Sequence, residues 1–290
     1  MKVLVTGADG QLGQALKSVF KLTDIETIFL TKSDLDIASE EAVLSKFKYI
    51  CPDIAINAAA YTSVDLAEEF SDEAFRINEL GAINLSKGCN IIHAPLIHFS
   101  TDYVFNGKKR MPYLLSDDPD PINIYGKSKL CGEQKIQKQC SKYLIIRSSW
   151  IYSEFGNNFL KTMMSLAKKN TKISVVNDQF GSPTYAVDLA ESLVKILPII
   201  KNNNFKSGLY HYAGEDTLSW KDFADQIFYH AFKIGLIDQI PEIKGVLSAN
   251  YPMQANRPYY SSLDSSCFLK TFNVNPIQTS LSILRSLENL

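Results

Sequence analysis

The chain has 290 residues, of which 46% are hydrophobic and 21% charged, and its formal net charge is −1. This composition is typical of a globular protein with a large apolar core. So balanced a charge offers no basic footprint for nucleic acid or a membrane surface, and every apolar run is shorter than the roughly 18 residues of a membrane span. The five cysteines form no CxxC pair and the four histidines have no ligand spacing, which predicts free thiols, a cytoplasmic location and no metal site.

The first half of the chain alternates apolar strands with helices. Strands are predicted at 2–6, 25–30, 54–60, 95–99 and 143–147, and the helices between them include 42–47, 74–89 and one that begins at Tyr125. Alternation at this pace is typical of βαβ units, and near-continuous apolar strands indicate a sheet covered on both faces. We therefore predict an α/β fold with a doubly wound parallel sheet.

After Trp150 the alternation loosens. Helices are predicted at 159–168, 187–197 and 220–232, and strands at 173–176 and 208–212. Residues 251–290, with prolines at 252, 258 and 276, are expected to be rich in turns. We interpret residues 151–290 as a smaller α/β substrate-binding lobe, partly interleaved with the first domain.

A glycine-rich turn joins the first strand to the first helix. Glycine lets the backbone approach a pyrophosphate, and a helix N terminus offers N–H groups to its charge. A strand–helix turn without a ligand is the alternative. The GxxGxxG spacing resembles the extended short-chain dehydrogenase/reductase superfamily, which implies a Rossmann-type NAD(P)-binding domain over residues 1–150. The implied cofactor contacts lie in this turn and after the third strand: Gly7, Gly10, Gln11, Leu12, Gly13, Ala58, Ala59 and Ala60.

The end of the second strand bears on the choice of cofactor. NAD sites carry an acid about 20 residues after the glycines, and residues 30–33 contain none. Thr31 and Lys32 lie where a 2′-phosphate would bind, although Asp34 is close to the expected offset. We favour NADPH, with NADH as the alternative. Asp36 and Ile37 resemble the superfamily's pair that touches the adenine ring.

Two Tyr-x-x-x-Lys pairs occur in the chain, at 125/129 and 229/233. Ligands bind beyond the carboxyl ends of parallel strands, and Tyr125 follows the strand that ends near Thr101. Tyr229 lies in an apolar helix and is expected to be a packed aromatic. In the first pair Lys129 would lower the pKa of the phenol, and Tyr125 would give its proton to a carbonyl oxygen as hydride arrives. Thr101 would hydrogen-bond the same oxygen.

Longer motifs resemble the dTDP-4-dehydrorhamnose reductase (RmlD) family: STDYVFNG at 100–107, INIYGKSKLCGE at 122–133, RSSWIY at 147–152 and NRPYYSSL at 256–263. The resemblance implies reduction of the C4 ketone of dTDP-4-dehydro-β-L-rhamnose by NAD(P)H, the last step in making dTDP-L-rhamnose for cell-surface polysaccharide. It implies that Thr101, Tyr125 and Lys129 are the catalytic triad and that Asn78 supports the lysine, often through water. Asn78, Tyr125 and Lys129 are also implied to bind the cofactor. The substrate residues that it implies are Thr62, Val64, Thr101, Asp102, Tyr103, Trp150, Asn158 and Arg257. For Trp150 a core role is the alternative.

Two other functions stay open. A sugar-nucleotide epimerase or dehydratase of the same superfamily would share the fold, but dehydratases carry a glutamate where this chain has Tyr103. A non-catalytic NADP-binding subunit, similar to the regulatory β subunit of methionine adenosyltransferase, would not need the complete triad. Some members of the RmlD family dimerise through a magnesium ion bridged by glutamates. No matching acids are evident here, so no metal is assigned, and the chain is expected to be a monomer or a homodimer.

Overall fold

The structure is a computed structural model that describes residues 1–251, 253–276 and 278–290. Pro252, named above in the turn-rich region, lies outside the described residues. The strands are β1 (Lys2–Thr6), β2 (Glu26–Leu30), β3 (Ile54–Asn57), β4 (Leu96–Thr101), β5 (Tyr143–Ser148), β6 (Ile151–Tyr152), β7 (Lys172–Val176), β8 (Phe180–Gly181), β9 (Thr184–Tyr185), β10 (Gly208–His211), β11 (Leu218–Ser219) and β12 (Glu242–Val246). The α-helices are α1 (Gln11–Phe20), α2 (Glu40–Ile50), α3 (Val64–Glu69), α4 (Ser71–Phe75), α5 (Gly81–Ile91), α6 (Ile124–Gln139), α7 (Phe159–Ala167), α8 (Ala186–Lys201), α9 (Trp220–Lys233), α10 (Ser266–Phe272) and α11 (Thr279–Glu288).

A six-stranded parallel sheet forms the centre of the fold, in the order β10-β5-β4-β3-β1-β2. The chain reverses its direction of travel across the sheet between β1 and β3. At such a switch point a doubly wound sheet opens a crevice beyond the carboxyl ends of its strands. The predicted α/β fold of Rossmann type is confirmed.

Helices cover both faces of this sheet. Val3 and Val5 of β1 belong to a core that includes residues of α1, α7, α8 and α9. Leu4, between them, belongs to a second core with α2, α5 and α6. Alternate strand residues thus enter two separate cores, which is why the strands are apolar throughout.

The second half of the chain contributes to the large sheet. β10 pairs with β5, Gly208 opposite Leu144, and α8 packs against α1. Other strands of this half form two-stranded sheets: β12 with β7, β11 with β8 and β6 with β9. The two halves are interleaved around one sheet, and the division at residue 150 stays a prediction.

The largest differences from the predicted secondary structure lie at residues 74–89 and 251–290. The helix predicted at 74–89 is divided by a π-helical turn at Arg76–Leu80. Close packing on α6 accompanies that turn, since a Cβ on Gly132 would lie 2.3 Å from the Asn78 carbonyl oxygen. Residues 251–290 contain two helices, α10 and α11, whose residues Phe268 and Ile283 are fully buried. Their apolar spacing was obscured by the surrounding prolines and polar residues.

All five cysteines are free thiols, as predicted. Among the described helices, none combines the length and apolarity needed to cross a membrane.

Candidate active site

Tyr125 and Lys129 lie one turn apart on α6. Asn123 caps the helix, because its side-chain oxygen accepts a hydrogen bond from the Gly126 N–H at 2.7 Å. The Asn123 amide also donates to the Asn256 carbonyl at 2.8 Å, which ties the start of the helix to the C-terminal segment. This cap fixes the register that puts the phenol and the amine on one face.

Thr101 ends β4 and meets Tyr125 at the carboxyl edge of the sheet. The Thr101 hydroxyl donates to the Asp102 carboxylate at 3.1 Å, accepts from the Tyr103 N–H at 3.2 Å and interacts with the Tyr125 phenol. The rings of Tyr103 and Tyr125 pack edge to face, with centroids 5.9 Å apart. The side chains of Thr101, Tyr103 and Tyr125 therefore lie in one cleft.

Burial shifts the acidity of both groups on α6. It raises the pKa of the Tyr125 phenol to about 12, which the Thr101 hydroxyl opposes and the Asp102 charge increases. It lowers the pKa of the Lys129 amine to about 8, which the Glu133 carboxylate opposes. We expected a lowered pKa at Tyr125; in the protein alone the cost of desolvating the phenolate outweighs the other effects. A phenol that is protonated at neutral pH suits the donation of a proton.

The Lys129 amine lies against β4. It donates to the Phe99 carbonyl at 2.6 Å and lies 3.5 Å from the Nε2 atom of His98. Asn78 does not reach it directly: its side chain accepts from the Tyr61 N–H at 2.9 Å and donates to the Tyr61 carbonyl and to the Ser128 hydroxyl. The contacts of Asn78 hold the chain after β3 against α6.

Asp102 is buried behind Thr101. Burial raises its pKa to about 6, while hydrogen bonds with Ser261, Ser149 and Thr101 oppose the shift. The Ser149 hydroxyl donates to the carboxylate at 3.1 Å. With its oxygens engaged by internal hydroxyls, Asp102 is placed to orient Thr101 rather than to contact substrate.

Gly7, Gly10 and Gly13 form a cradle between β1 and α1. Gly7 has a φ of +74°, and a Cβ there would lie 2.4 Å from the Ala59 nitrogen. A Cβ on Gly13 would lie 2.1 Å from the Gly7 carbonyl oxygen. Within the described residues no side chain caps α1, whose N-cap is Gly10. Its backbone N–H groups therefore suit a phosphate, and the cradle fits a dinucleotide.

The side chains beside this cradle are engaged within the protein. Leu12 is buried in the core. The Gln11 amide donates to the Ile151 carbonyl at 3.0 Å and accepts from Ser153 and Asn158 at 3.1 and 2.6 Å. Gln11 and Leu12 can therefore hydrogen-bond a phosphate only through their backbone N–H groups.

The loop after β2 turns its acid away from the expected ribose position. Asp34 accepts hydrogen bonds from the Thr31 N–H at 2.9 Å and from the Thr31 hydroxyl at 2.6 Å. These hydrogen bonds lower the pKa of Asp34. Lys32 is exposed beside them. A carboxylate folded onto the strand end and a neighbouring exposed ammonium favour a 2′-phosphate, as in NADPH.

The predicted adenine and backbone contacts lie nearby. Asp36 accepts from Arg76 at 2.9 Å and from the Ala38 N–H at 3.0 Å. Ile37 is buried, and a Cβ on Gly81 would lie 2.6 Å from its Cδ1 atom, so only its backbone can meet an adenine. β3 ends at Asn57, earlier than predicted, which leaves 58–60 as a half-buried turn beside Gly7.

A cavity of about 1030 Å³ has Ile122, just before the start of α6, in its lining. Arg257 lines it, donates to Asp65 at 2.9 Å and opposes the burial that raises the pKa of the neighbouring Tyr103 phenol. The Nε atom of Arg257 is buried without a hydrogen-bond partner in the described residues. Arg257 and Tyr103 therefore connect the cavity with the cleft at Tyr125.

Sequence reasoning did not identify several residues of this cavity. The basic run Lys108-Lys109-Arg110 has the composition of solvated surface, and Lys108 and Arg110 are exposed. All three residues also line the cavity, and Lys109 pairs with Asp117 at 2.5 Å. Aromatic residues complete the lining: Phe180, Tyr251, Tyr259 and Tyr260. Only the proximity of 108–110 to the STDYVF motif could have indicated this role.

The remaining predicted substrate residues differ in burial and in hydrogen bonding. Thr62 is exposed, and Val64 is half-buried at the start of α3. Val64 is followed by Asp65, which pairs with Arg257. Trp150 stacks on Trp220 with ring centroids 3.4 Å apart, which favours the core alternative for its ring. Asn158 caps α7 and uses its amide for internal hydrogen bonds, so it does not present a free group to a nucleotide.

The second Tyr-x-x-x-Lys pair lies outside the site. Tyr229 on α9 is 51% exposed and not the packed aromatic that was predicted. Its ring contacts His230 and the Lys233 amine, which lies 5.6 Å from the ring centroid. The helix turns this position to the surface, since Phe228, its neighbour, takes the buried one.

The chain matches a family model described as RmlD substrate binding domain over residues 1–290. A dTDP-4-dehydrorhamnose reductase of Aggregatibacter actinomycetemcomitans is 40% identical over 95% of this chain and 94% of that protein. The spore coat polysaccharide biosynthesis protein SpsK of Bacillus subtilis is 42% identical over 90% and 88%. A dTDP-4-dehydrorhamnose reductase of Bacillus anthracis, solved in complex with NADP, is 36% identical, covers 100% of this chain and 99% of its own, and superposes with a TM-score of 0.92.

Proposed function

We propose that this chain, which belongs to the RmlD family, reduces the C4 ketone of dTDP-4-dehydro-β-L-rhamnose to dTDP-L-rhamnose with NADPH. The observation that carries the proposal is the cleft between Thr101 at the end of β4 and the face of α6 that carries Tyr125 and Lys129. This cleft lies next to the glycine cradle. Relatives of nearly the same length carry the name of this activity, and one was solved with NADP.

The residues of the cleft divide the chemistry between them. Gly7, Gly10 and Gly13 would hold NADPH, which would supply the hydride for the ketone carbon. Tyr125 donates its proton to the ketone oxygen, and its high pKa keeps that proton in place until negative charge develops there. Asp102 accepts the Thr101 hydroxyl proton in this structure, and Thr101 would turn that proton to the ketone oxygen when the substrate binds. Lys129 then returns a proton to the phenolate.

The neighbouring cavity suits the nucleoside diphosphate of the substrate. Ligand pockets of about 300–1,000 Å³ bury most of a small molecule, and this one combines positive and aromatic side chains. The Arg257 guanidinium can pair with a diphosphate in two places at once. The phenol rings of Tyr259 and Tyr260 offer surfaces for the base. We assign the dTDP portion to this cavity.

Tyr103 argues against elimination of water at the same site. Dehydration needs a group that removes a proton from carbon at neutral pH, and burial raises the pKa of the Tyr103 phenol. A reducing cytoplasm, where the five free thiols persist, is the proposed location.

The test follows NADPH absorbance while the protein is supplied with dTDP-4-dehydrorhamnose made in place by the preceding enzymes. We expect rapid oxidation of NADPH and formation of dTDP-rhamnose. Bound NADPH that is not consumed would contradict the proposal and favour a non-catalytic subunit. UDP-glucose, a substrate for a 4-epimerase, serves as the control and should not react.

A further inference from the structure

A buried chain of side chains links the cofactor turn to Lys129. Asn57 and His98 face each other across the paired strands β3 and β4. The Asn57 amide nitrogen lies 2.9 Å from the Nδ1 atom of His98, and the His98 Nε2 atom lies 3.5 Å from the Lys129 amine. All three residues are at most 3% exposed.

The hydrogen bonds of Asn57 determine where the His98 ring carries its proton. The Asn57 oxygen accepts from the Ala59 N–H at 3.1 Å and from the Thr6 hydroxyl at 2.8 Å. A backbone N–H can only donate, so the other end of the amide must be its NH₂ group. That group donates to Nδ1 of His98, which must therefore hold a lone pair. The proton of the neutral ring is left on Nε2, facing Lys129.

This arrangement conflicts with an ammonium at Lys129. An N–H of His98 directed at an ammonium is donor against donor, which agrees with the long 3.5 Å separation, whereas the Phe99 carbonyl lies at 2.6 Å. A neutral amine would instead accept the Nε2 proton. The ring itself stays neutral, because burial and the nearby Lys129 charge lower the pKa of His98.

Other charged and titratable groups surround Lys129 on the elements packed against it. On α6 these are Tyr125 and Glu133; the Glu133 carboxylate favours the ammonium but is held by Arg147 of β5 at 2.6 Å. After β4 lies Asp102, whose carboxylate accepts hydrogen bonds from the Thr101 and Ser149 hydroxyls. The π-helical turn packed on α6 contributes Glu79, which pairs with Lys135 at 3.6 Å. Among the described groups, His98 is the one whose donor points at the amine.

We propose that His98, fixed by Asn57 with its proton on Nε2, is a positioning residue that makes Lys129 a ready proton donor in turnover. This rests on the proposed reductase function. When Tyr125 has given its proton to the ketone oxygen, an ammonium proton of Lys129 moves to the phenolate, and the neutral amine accepts the His98 hydrogen bond. Solvent then returns one proton to Lys129, so each turnover consumes one hydride and one proton.

Nitrogen NMR of protein made with isotopically labelled histidine tests the tautomer directly. The His98 signals are assigned by their loss in a His98→Leu variant. We expect an unprotonated Nδ1 and a protonated Nε2 in the wild-type protein. A proton on Nδ1, or on both nitrogens at neutral pH, would overturn the proposal. This measurement needs no turnover, so it stands apart from failure of the proposed reductase activity.

An Asn57→Asp substitution reverses the arrangement with little change of shape. Both side-chain oxygens then accept, which places the ring proton on Nδ1 and turns the Nε2 lone pair to the ammonium. With saturating NADPH, we expect the pH above which kcat falls to rise by about one unit or more. Adding His98→Leu keeps the new carboxylate but removes the ring. If the combined variant shows the same shift, charge alone explains it and His98 has no such role.

Discussion

Single side chains at the end of β4 and on the following helix α6 carry the proposed chemistry, and burial sets the protonation of Tyr125 and Lys129. Tyr125 keeps its proton because the buried phenolate is costly, while Lys129 gives one up more readily because the buried ammonium is costly. Opposite shifts in two neighbouring groups are the arrangement expected of an acid and the group that reprotonates it. Reduction starts from a protonated phenol, and the raised pKa of Tyr125 keeps its phenol protonated at neutral pH.

The role of Tyr125 can be tested by a Tyr125→Phe substitution. General acid catalysis contributes about 10²–10⁴-fold, so kcat should fall by at least about 100-fold. NADPH should bind unchanged, because the glycine cradle lies on another element. The measurement is steady-state turnover together with a fluorescence titration of NADPH.

Tyr229→Phe is the matched control for that experiment. It removes the same hydroxyl from the other Tyr-x-x-x-Lys pair, at a half-exposed position on α9. Turnover should equal that of the unaltered protein. A large loss of turnover in Tyr229→Phe, with turnover retained in Tyr125→Phe, would show that the two pairs had been assigned the wrong way round.

At the scale of elements, the approach of β1, β3 and α1 shapes the cofactor cradle. Gly7 has both a left-handed backbone and no room for a Cβ, whereas Gly235 has a similar φ of +76° and no heavy atom of another residue within 4 Å of the Cβ position. The two positions therefore separate backbone strain from steric collision.

Gly7→Ala should abolish measurable NADPH binding and destabilise the fold, because the new methyl group would collide with the turn after β3. Gly235→Ala should cost only about 1–2 kcal/mol from its backbone conformation and leave cofactor binding intact. Calorimetric titration and chemical denaturation of both variants provide the comparison. Equal losses of stability, with binding retained in both, would contradict the collision at Gly7.

Local rules were sufficient for much of this architecture. The glycine turn, the strand end at Thr101 and the spacing of Tyr125 and Lys129 depend on neighbours in sequence, so pattern and spacing predict them. The approach of His98 to Lys129 depends on the register of β3 and β4 and on the packing of α6. The bond from Gln11 to Asn158 joins residues far apart in the chain. Single-sequence periodicity carries no information about such contacts.

At the scale of the whole molecule, the buried histidines connect stability to pH. Burial lowers the pKa of His211 to about 3 from an unfolded value near 6.5. Between these values the unfolded chain binds a proton that the folded protein does not, so the free energy of unfolding falls as pH falls. Asp102 and Asp188, whose pKa values burial raises to about 6, act in the opposite direction below that pH.

His211→Asn should therefore make the free energy of unfolding less dependent on pH between about 6.5 and 4. The exposed His93, which has a φ of 57° that asparagine tolerates, provides His93→Asn as the control. Urea unfolding across this pH range measures both slopes. Identical slopes for the wild-type protein and His211→Asn would exclude His211 as a source of acid sensitivity.

The glycine cradle and the Tyr125 cleft both lie beyond the carboxyl ends of the parallel strands. The proposed function requires that a hydride pass from a cofactor held at the cradle to a ketone held in the cleft. Transfer of deuterium from NADPH labelled at its hydride position tests this claim most directly. We predict that mass spectrometry and NMR will find one deuterium at C4 of the sugar in dTDP-rhamnose. Label that stays on the cofactor, or that enters the sugar at another carbon, would contradict the account.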